Sequence, residues 1–426
     1  MKGGKIAFIL LLLVHSLSAL SISELMNALK KRPQYRLDLI SVEKSSLEIR
    51  KLEDKKMPKI DLFASYELFN TPNGLVPVAP NNMMAMVKEQ DIPQPFGKSI
   101  FREGVSFSWP LFIASLQSLR ERAGILLLAE KERRRMAFLE REALLLGTVS
   151  RLNYLRGVKE ALNAKRRSIL TTIERTRVEI SSGRKSADAL LILRSRIDEL
   201  DISIDETTRN MESLSAEIEK LTGMRVKGFV RLSKAGDIDK REIFSLKEIE
   251  KRVKAAEKSI EAARESRYPT LSMKGNYSFS QTDAYNNGKA VEESFGSVGL
   301  YLSMPIYDSS IASSVEEARL TLMKERNRYL EAANSLKVEA KRVEREIEIL
   351  EHSLKLARKN MKHKKELLQL AKAELQHERI RYEEYLRYED SLAEARALYY
   401  KYSSLIWQSR ARLAVIYGND LKGIVK

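Results

Sequence analysis

The sequence predicts a mainly helical protein with a smaller strand part, arranged as a duplicated helix–strand–strand–helix repeat. Three observations in the 426 residues lead to this fold class. Long stretches contain no proline, four short segments alternate between apolar and polar residues, and the second half of the chain repeats the first at a fixed offset. These observations place the helices, the strands and the repeat boundaries respectively.

The distribution of proline separates the helices from the strands and loops. None of the ten prolines lies within residues 111–268 or 306–426, and both stretches are rich in Glu, Lys, Arg, Leu and Ala. Because proline costs about 3 kcal/mol inside a helix, long helices can form there. In the second stretch apolar residues recur every seven positions, as in a coiled coil, at Val315, Leu322, Tyr329, Leu336, Val343, Leu350 and Ala357. We expect long helices over about 114–181 and 310–373, and shorter ones that include about 22–56 and 184–222.

Four segments alternate with a period of two, at about 59–69, 104–111, 270–280 and 298–305. In the first, one face carries Ile60, Leu62, Ala64, Tyr66 and Leu68, and the other carries Asp61, Ser65 and Glu67. This period places each apolar set on one face of a sheet. Any single segment would fit an ordinary half-buried sheet equally well.

The chain is an internal duplication. The segment from Gly104 to Pro110 aligns with the segment from Gly299 to Pro305 at an offset of 195, which also carries Gly223 onto Gly418. The predicted organisation is a signal peptide at 1–21, a first repeat at 22–223, a linker or equatorial segment at 224–244, a second repeat at 245–418 and a C-terminal tail at 419–426.

The first twenty-one residues are typical of a secretory signal peptide. A short basic start with Lys2 and Lys5 precedes an unbroken apolar run and then several small residues. Removal of this segment would lower the formal net charge from +17 to +15. A protein that works outside the cytoplasm has little access to nucleic acid, so we expect no nucleic-acid partner for this positive charge.

The composition excludes several kinds of site. Without cysteine the chain has no disulfide, no thiolate metal site, no cysteine nucleophile and no lipidated N-terminal cysteine. His352, His363 and His377 lack the spacing of a metal site, and no glycine-rich phosphate loop is present. We therefore expect no catalytic residue, no metal and no cofactor, and we predict that the protein is not an enzyme.

Four strands cannot close a membrane barrel, because the smallest bacterial barrels have eight. An open sheet in lipid would expose unpaired backbone groups that cost several kcal/mol each. If the strands cross a membrane, the protein must therefore form oligomers. A dimer would supply eight strands with a filled interior, and a trimer would supply twelve with room for a lumen.

The mature chain resembles the TolC-type outer membrane efflux proteins, also called outer membrane factors. The resemblance rests on two strand–helix junctions, Ser108-Trp109-Pro110-Leu111-Phe112 and Ser303-Met304-Pro305-Ile306-Tyr307, on the helix reversal Ser182-Gly183-Arg184-Lys185-Ser186, and on the terminal Leu221-Thr222-Gly223 and Ile416-Tyr417-Gly418. It implies a homotrimer in the outer membrane, with a twelve-stranded β-barrel and an α-barrel of coiled-coil helices that forms a tunnel into the periplasm. It also implies a periplasmic adaptor (a membrane fusion protein) and an inner-membrane pump of RND, ABC or MFS type as partners, in an efflux or type I secretion system.

Charged residues at the two helix reversals are the candidate site. If the tunnel narrows there, a periplasmic gate would be formed by Arg184, Lys185, Asp188, Arg379, Arg381, Glu383 and Glu384. Two departures from the family pattern are Glu378, where a glycine is usual, and Ala189, where an aspartate is frequent. Charges that face only solvent are the simpler interpretation of the same residues.

Two alternatives to the channel share part of this pattern. An exported periplasmic coiled-coil scaffold or adaptor without a pore would share the signal peptide, the heptads and the basic charge, but it would not need four two-faced strands. A basic nucleic-acid-binding coiled coil conflicts with the signal peptide. The sequence does not say which cargo, small molecules or polypeptides, would pass.

Overall fold

The computed structural model describes residues 20–79, 83–84, 88, 91–184, 186–377 and 379–426, with the side chain at position 382 excepted. Most of the predicted signal peptide, the candidate gate residue Lys185 and the departure at Glu378 lie outside the described residues.

Helices and strands follow one another in the predicted repeat. The first repeat contains α1 (Ile22–Leu29), α2 (Pro33–Asp54), β1 (Lys59–Gly74), β2 (Phe96–Ile113), α3 (Ser115–Ser181) and α4 (Asp188–Thr222). The second contains α5 (Lys247–Glu265), β3 (Thr270–Asp283), β4 (Ala290–Ser303), α6 (Ser309–Gln376) and α7 (Tyr382–Tyr417), and is followed by a 3-10 turn (Leu421–Gly423). The predicted fold class, mainly helical with a four-stranded sheet, is confirmed.

Proline explains one difference from the sequence prediction. The expected single helix over about 22–56 is divided into α1 and α2, and α2 begins at Pro33. A proline has no amide hydrogen and is therefore favoured in the first helical position but not in a helix interior. Ser21 closes the start of α1 with a capping box, in which its hydroxyl accepts from the Glu24 amide at 3.2 Å.

The strands are longer than the alternating segments indicate. β2 begins at Phe96 instead of about 104, and β4 begins at Ala290 instead of about 298. The added parts contain Lys98, Arg102 and Glu293, which break the apolar alternation but leave the backbone free to pair. Strands pair through backbone hydrogen bonds. Polar side chains therefore shorten the alternating pattern in the sequence but do not shorten the strand.

The chain forms two compact units, and each is described by itself. The first consists of Met1–Leu39, Arg133–Lys247 and Ala332–Lys426. Its main core is a cluster of buried residues from α1, α3, α4, α7, the linker and the C-terminal segment, among them Leu25, Met26, Leu145, Leu146, Val149, Leu152, Ile218, Val226, Trp407, Ala414, Leu421 and Val425. The C-terminal segment is therefore part of this core and not a loose tail.

The second unit, Ile40–Glu132 and Glu248–Glu331, contains the sheet. Its four strands are antiparallel in the order β1-β2-β3-β4, so that β1 and β4 are the edges. Lys258 of α5 joins this helix to α3 through an ion pair with Glu121 at 2.9 Å, and it also pairs with Glu261 of its own helix at 2.6 Å.

The two repeats end their helices at equivalent residues. The first ends α3 at Ser181 and α4 at Thr222, and adding 195 to each gives the last residues of α6 and α7. The amide of Arg184 donates to the carbonyl of Glu179 at 2.8 Å, and the equivalent bond from Arg379 to Glu374 is 2.9 Å long. The offset in the sequence is therefore repeated in the backbone hydrogen bonds of both reversals.

Candidate functional site

The four-stranded sheet has two chemically different faces. Residues that pair directly across strands share a face, so the register puts Leu62, Val105 and Tyr277 together on one side. This apolar face carries Ile60, Leu62, Tyr66, Leu68, Val105, Trp109, Tyr277, Val298, Leu300 and Leu302, which are between 39% and 84% exposed in one chain. Such a large exposed apolar surface marks contact with a partner or with lipid.

The opposite face, which we call the polar face, is the more enclosed one. Its register rows include Asp61 paired with Ser106, and Ser106 paired with Asn276. Farther along β3 on this face, Ser278, Ser280 and Thr282 are at most 8% exposed. The sheet therefore turns its apolar side chains outward and encloses its polar ones, the reverse of a water-soluble sheet.

The apolar side chains run diagonally across the strands. Ile60 of β1 lies in the same register row as Phe107, Gly275 and Val298 of the other three strands. From this row the apolar residues of β1 continue towards the first loop, whereas those of β4 continue towards α6. Strands that cross a flat lipid layer at a tilt of about 35–45° require such a diagonal band.

The first helix reversal lies between α3 and α4. Gly183 has a φ of 74°, in the left-handed region that glycine adopts without strain, and ends α3. Arg184 and Asp188 are exposed on either side of the turn. A hydrogen bond from the Ser186 hydroxyl lowers the pKa of Asp188, which therefore carries its negative charge in the first turn of α4.

The second reversal repeats this arrangement between α6 and α7. Arg379 and Arg381 precede α7, and Glu383 and Glu384 lie exposed in its first turn. The backbone carbonyl of Arg381 accepts from the Glu384 amide at 3.0 Å. With the offset of 195, Arg379 is equivalent to Arg184 and Glu383 to Asp188, so each reversal has a cation before its helix and an anion in the first turn.

The structure of one chain does not by itself bring the two reversals into ion pairs. Among the described residues, no ion pair joins Arg184 or Asp188 to Arg379, Arg381 or Glu384. The gate assignment of these residues and of Lys185 therefore stays a prediction.

A polar cavity of about 620 Å³ lies near the reversals, and sequence reasoning missed it. From α3 it is lined by Lys165, Ser168, Thr172 and Thr176, which recur every three or four residues and so share one helix face. The Lys165 ammonium lies 3.9 Å from Asp390 of α7, and burial raises the pKa of Asp390 although Lys165 opposes this shift. The spacing of these four polar residues was the signal that could have revealed the cavity.

Beside the cavity, the contact between α3 and α4 is apolar. Ile169 and Ile173 form a buried cluster with Ile197 and Leu200. Next to this cluster, the Arg166 guanidinium donates two hydrogen bonds of 2.6 and 3.1 Å to the Asp201 carboxylate. Thus α3 is bound to α4 by an apolar cluster and an ion pair, and it contacts α7 through Lys165 and Asp390.

Two features are absent from the part of the chain that the structure describes. No helix in this part of the chain combines the length and the apolar character that crossing a membrane requires. Across the same residues, no cluster of three or more His, Asp or Glu side chains is arranged to hold a metal ion.

Comparisons with known proteins agree with the geometry. The family model "Outer membrane efflux protein" matches residues 242–419. The fold is similar to the Campylobacter jejuni outer membrane channel CmeC (15% identity, 95% of this chain and 85% of that chain, TM-score 0.71). It is also similar to the Vibrio cholerae outer membrane protein VceC (12%, 93% and 96%, 0.69) and to the open state of the Neisseria gonorrhoeae outer membrane channel MtrE (16%, 94% and 90%, 0.69). No curated protein matches.

These findings decide between the alternatives left by the sequence. The matched family consists of transport channels and not of enzymes, so the prediction of a non-enzymatic protein is confirmed. The predicted location in the outer membrane, with a tunnel towards the periplasm, is confirmed with it. The resemblance noted in the sequence is confirmed, because the outer membrane efflux protein model matches residues 242–419 and the fold is that of solved outer membrane channels.

Proposed function

We propose that three copies of the chain form a channel that serves as the exit duct of a tripartite efflux or type I secretion system. The observation that carries the proposal is the two-faced sheet with open edges at β1 and β4. In lipid these edges need partners, because unpaired backbone groups are costly there. Three copies joined edge to edge give twelve strands, with the apolar faces towards lipid and the polar faces around a lumen.

The partners follow from the family and the location. A duct in the outer membrane has no energy source of its own, so its cargo must be delivered from an inner-membrane pump of RND, ABC or MFS type through a periplasmic adaptor. The cargo is a small molecule or a polypeptide.

The native mass of the protein extracted from outer membranes in detergent tests the assembly. A trimer that needs detergent, and that conducts ions in a planar lipid bilayer, supports the channel. A water-soluble monomer or dimer would refute it and would favour the periplasmic scaffold.

We further propose that the charged reversals form the periplasmic gate. Threefold assembly would bring Arg184, Lys185 and Asp188 of one reversal close to Arg379, Arg381, Glu383 and Glu384 of the other. Exposed ion pairs are individually weak, but the three acidic side chains of each chain would give up to nine pairs around one opening, and these would act together. Contacts with the adaptor would then open the gate by favouring the splayed state.

Charge reversal tests this gate. The double change Glu383→Lys and Glu384→Lys should raise the conductance of the isolated channel severalfold, because it puts like charges beside Arg379 and Arg381. Glu366→Lys, an exposed change about ten residues before the end of α6, is the matched control and should leave conductance unchanged. Equal conductance of the double variant and the wild type would refute the proposal that Glu383 and Glu384 belong to the gate.

A further inference from the structure

A buried carboxyl lies in the core of the first unit, far in sequence from the reversals. Glu142 of α3 is 2% exposed and neighbours the buried residues Leu145 and Leu146. A carboxylate in such surroundings is expensive unless it is paired or protonated. Neither the sheet nor the gate uses this group.

Glu142 contacts the C-terminal segment. Its Oε2 accepts a hydrogen bond of 3.4 Å from the Leu421 amide, and the neighbouring carboxyl of Asp420 raises its pKa. Asp420 in turn accepts from the Lys422 amide at 2.9 Å. A negative charge on Asp420 opposes the ionisation of Glu142, because two nearby carboxylates repel each other.

The charged groups that face Glu142 are few. Asp420 approaches from the C-terminal turn and Lys30 from the end of α1. Burial raises the pKa of Glu142 to about 7, and Asp420 adds to the increase, whereas the Leu421 amide and Lys30 oppose it. Lys422 is occupied elsewhere, since its ammonium donates to Asn27 at 2.9 Å.

The segment that Glu142 contacts joins separate parts of the first unit. Leu421 and Val425 are completely buried. Beyond the turn, the Ser233 amide donates to the Lys426 carbonyl at 2.7 Å, and the Lys426 amide donates to the Ser233 carbonyl at 2.9 Å. The C-terminal residues thus tie the linker between the repeats to α1 and α3.

We propose that protonated Glu142 holds residues 420–426 on α3 and that its ionisation releases them. We call this contact the clasp. When protonated, it donates to Asp420 and accepts from the Leu421 amide, which holds the turn on α3. When it ionises, its proton goes to water and the two carboxylates repel each other. The turn and the strand pairing at Ser233 then open together. The clasp does not depend on the channel function proposed above.

The direction of the pH effect follows from the raised pKa. The closed segment favours protonated Glu142, so its stabilisation is complete at low pH and is lost as the pH rises through about 7. With a pKa of about 7 when closed and 4.5 when open, the opening constant should increase about 70-fold between pH 5 and pH 8.

Hydrogen exchange of the full-length protein measures this opening. We expect the amides of residues 421–426 and 233–235 to lose protection from pH 5 to pH 8, after correction for the intrinsic exchange rate. Glu142→Gln keeps the shape and both hydrogen bonds but cannot ionise. In this variant the same amides should therefore keep constant protection from hydrogen exchange as the pH changes. Glu140→Gln, an exposed change two residues away, is the control and should behave like the wild type.

Two results would overturn the clasp. One is a wild-type protein whose C-terminal protection does not change with pH. The other is a Glu142→Gln variant that keeps the wild-type pH dependence. Asp420→Asn removes the second carboxyl and so lowers the pKa of Glu142 in the closed state, which should reduce the increase in opening between pH 5 and pH 8. This variant gives an independent check if Glu142→Gln folds poorly.

Discussion

Replacing Leu62 by Arg tests whether the apolar face of the sheet meets lipid. Leu62 is 84% exposed in one chain and lies on the apolar face of the alternating segment Ile60–Leu68 of β1. An arginine on the lipid side near the middle of a membrane barrel costs about 2–4 kcal/mol. This corresponds to a loss of roughly 30- to 900-fold in the folding equilibrium for each chain, and to three such losses in a trimer.

The measurement is the free energy of unfolding in lipid vesicles, from urea titration of the wild type and of Leu62→Arg. Asp61→Arg is the matched control, because Asp61 is the preceding residue and lies on the polar face. We expect it to change the free energy of unfolding by less than about 0.5 kcal/mol. Equal losses for the two variants, or a larger loss for Asp61→Arg, would refute the assignment of the faces.

Two further predictions concern the helical unit. Leu146 is fully buried, so Leu146→Ala should cost about 3–5 kcal/mol in thermal or urea unfolding, whereas Glu140→Ala on the same helix should cost less than about 0.5 kcal/mol. Gly183 and Gly418 both have φ above 70°, but an added Cβ meets nothing at Gly183 and would lie 2.4 Å from the Phe244 ring at Gly418. Gly183→Ala should cost about 1 kcal/mol and Gly418→Ala about 1–3 kcal/mol more, and similar losses for the two would contradict the packing at Phe244.

The long-range order of the fold could be predicted from the sequence because it depends on strong local signals. The positions of proline showed which regions could not be long helices. The repeated segments that end at Pro110 and Pro305 gave the offset of 195, and the helices of the two repeats end at residues related by the same offset. The break at Pro33 was also visible in the sequence, but the helix-forming residues on both sides obscured it.

The candidate site could be predicted only in part. The charges of the reversals are readable because they are consecutive, as in Glu383 and Glu384. The contact of Lys165 with Asp390, and that of Glu142 with the C-terminal turn, join residues more than 200 positions apart. No periodicity in one helix shows which distant residue will face it, so these contacts required the structure.

The open edges of the sheet also affect how the protein is made. In the proposed trimer β1 and β4 find partners only in other chains, so a single chain cannot complete the barrel. Insertion and assembly are then one step, and its yield depends on the third power of the local chain concentration. A variant with a small folding defect would look normal when strongly expressed and would vanish from the membrane at low expression.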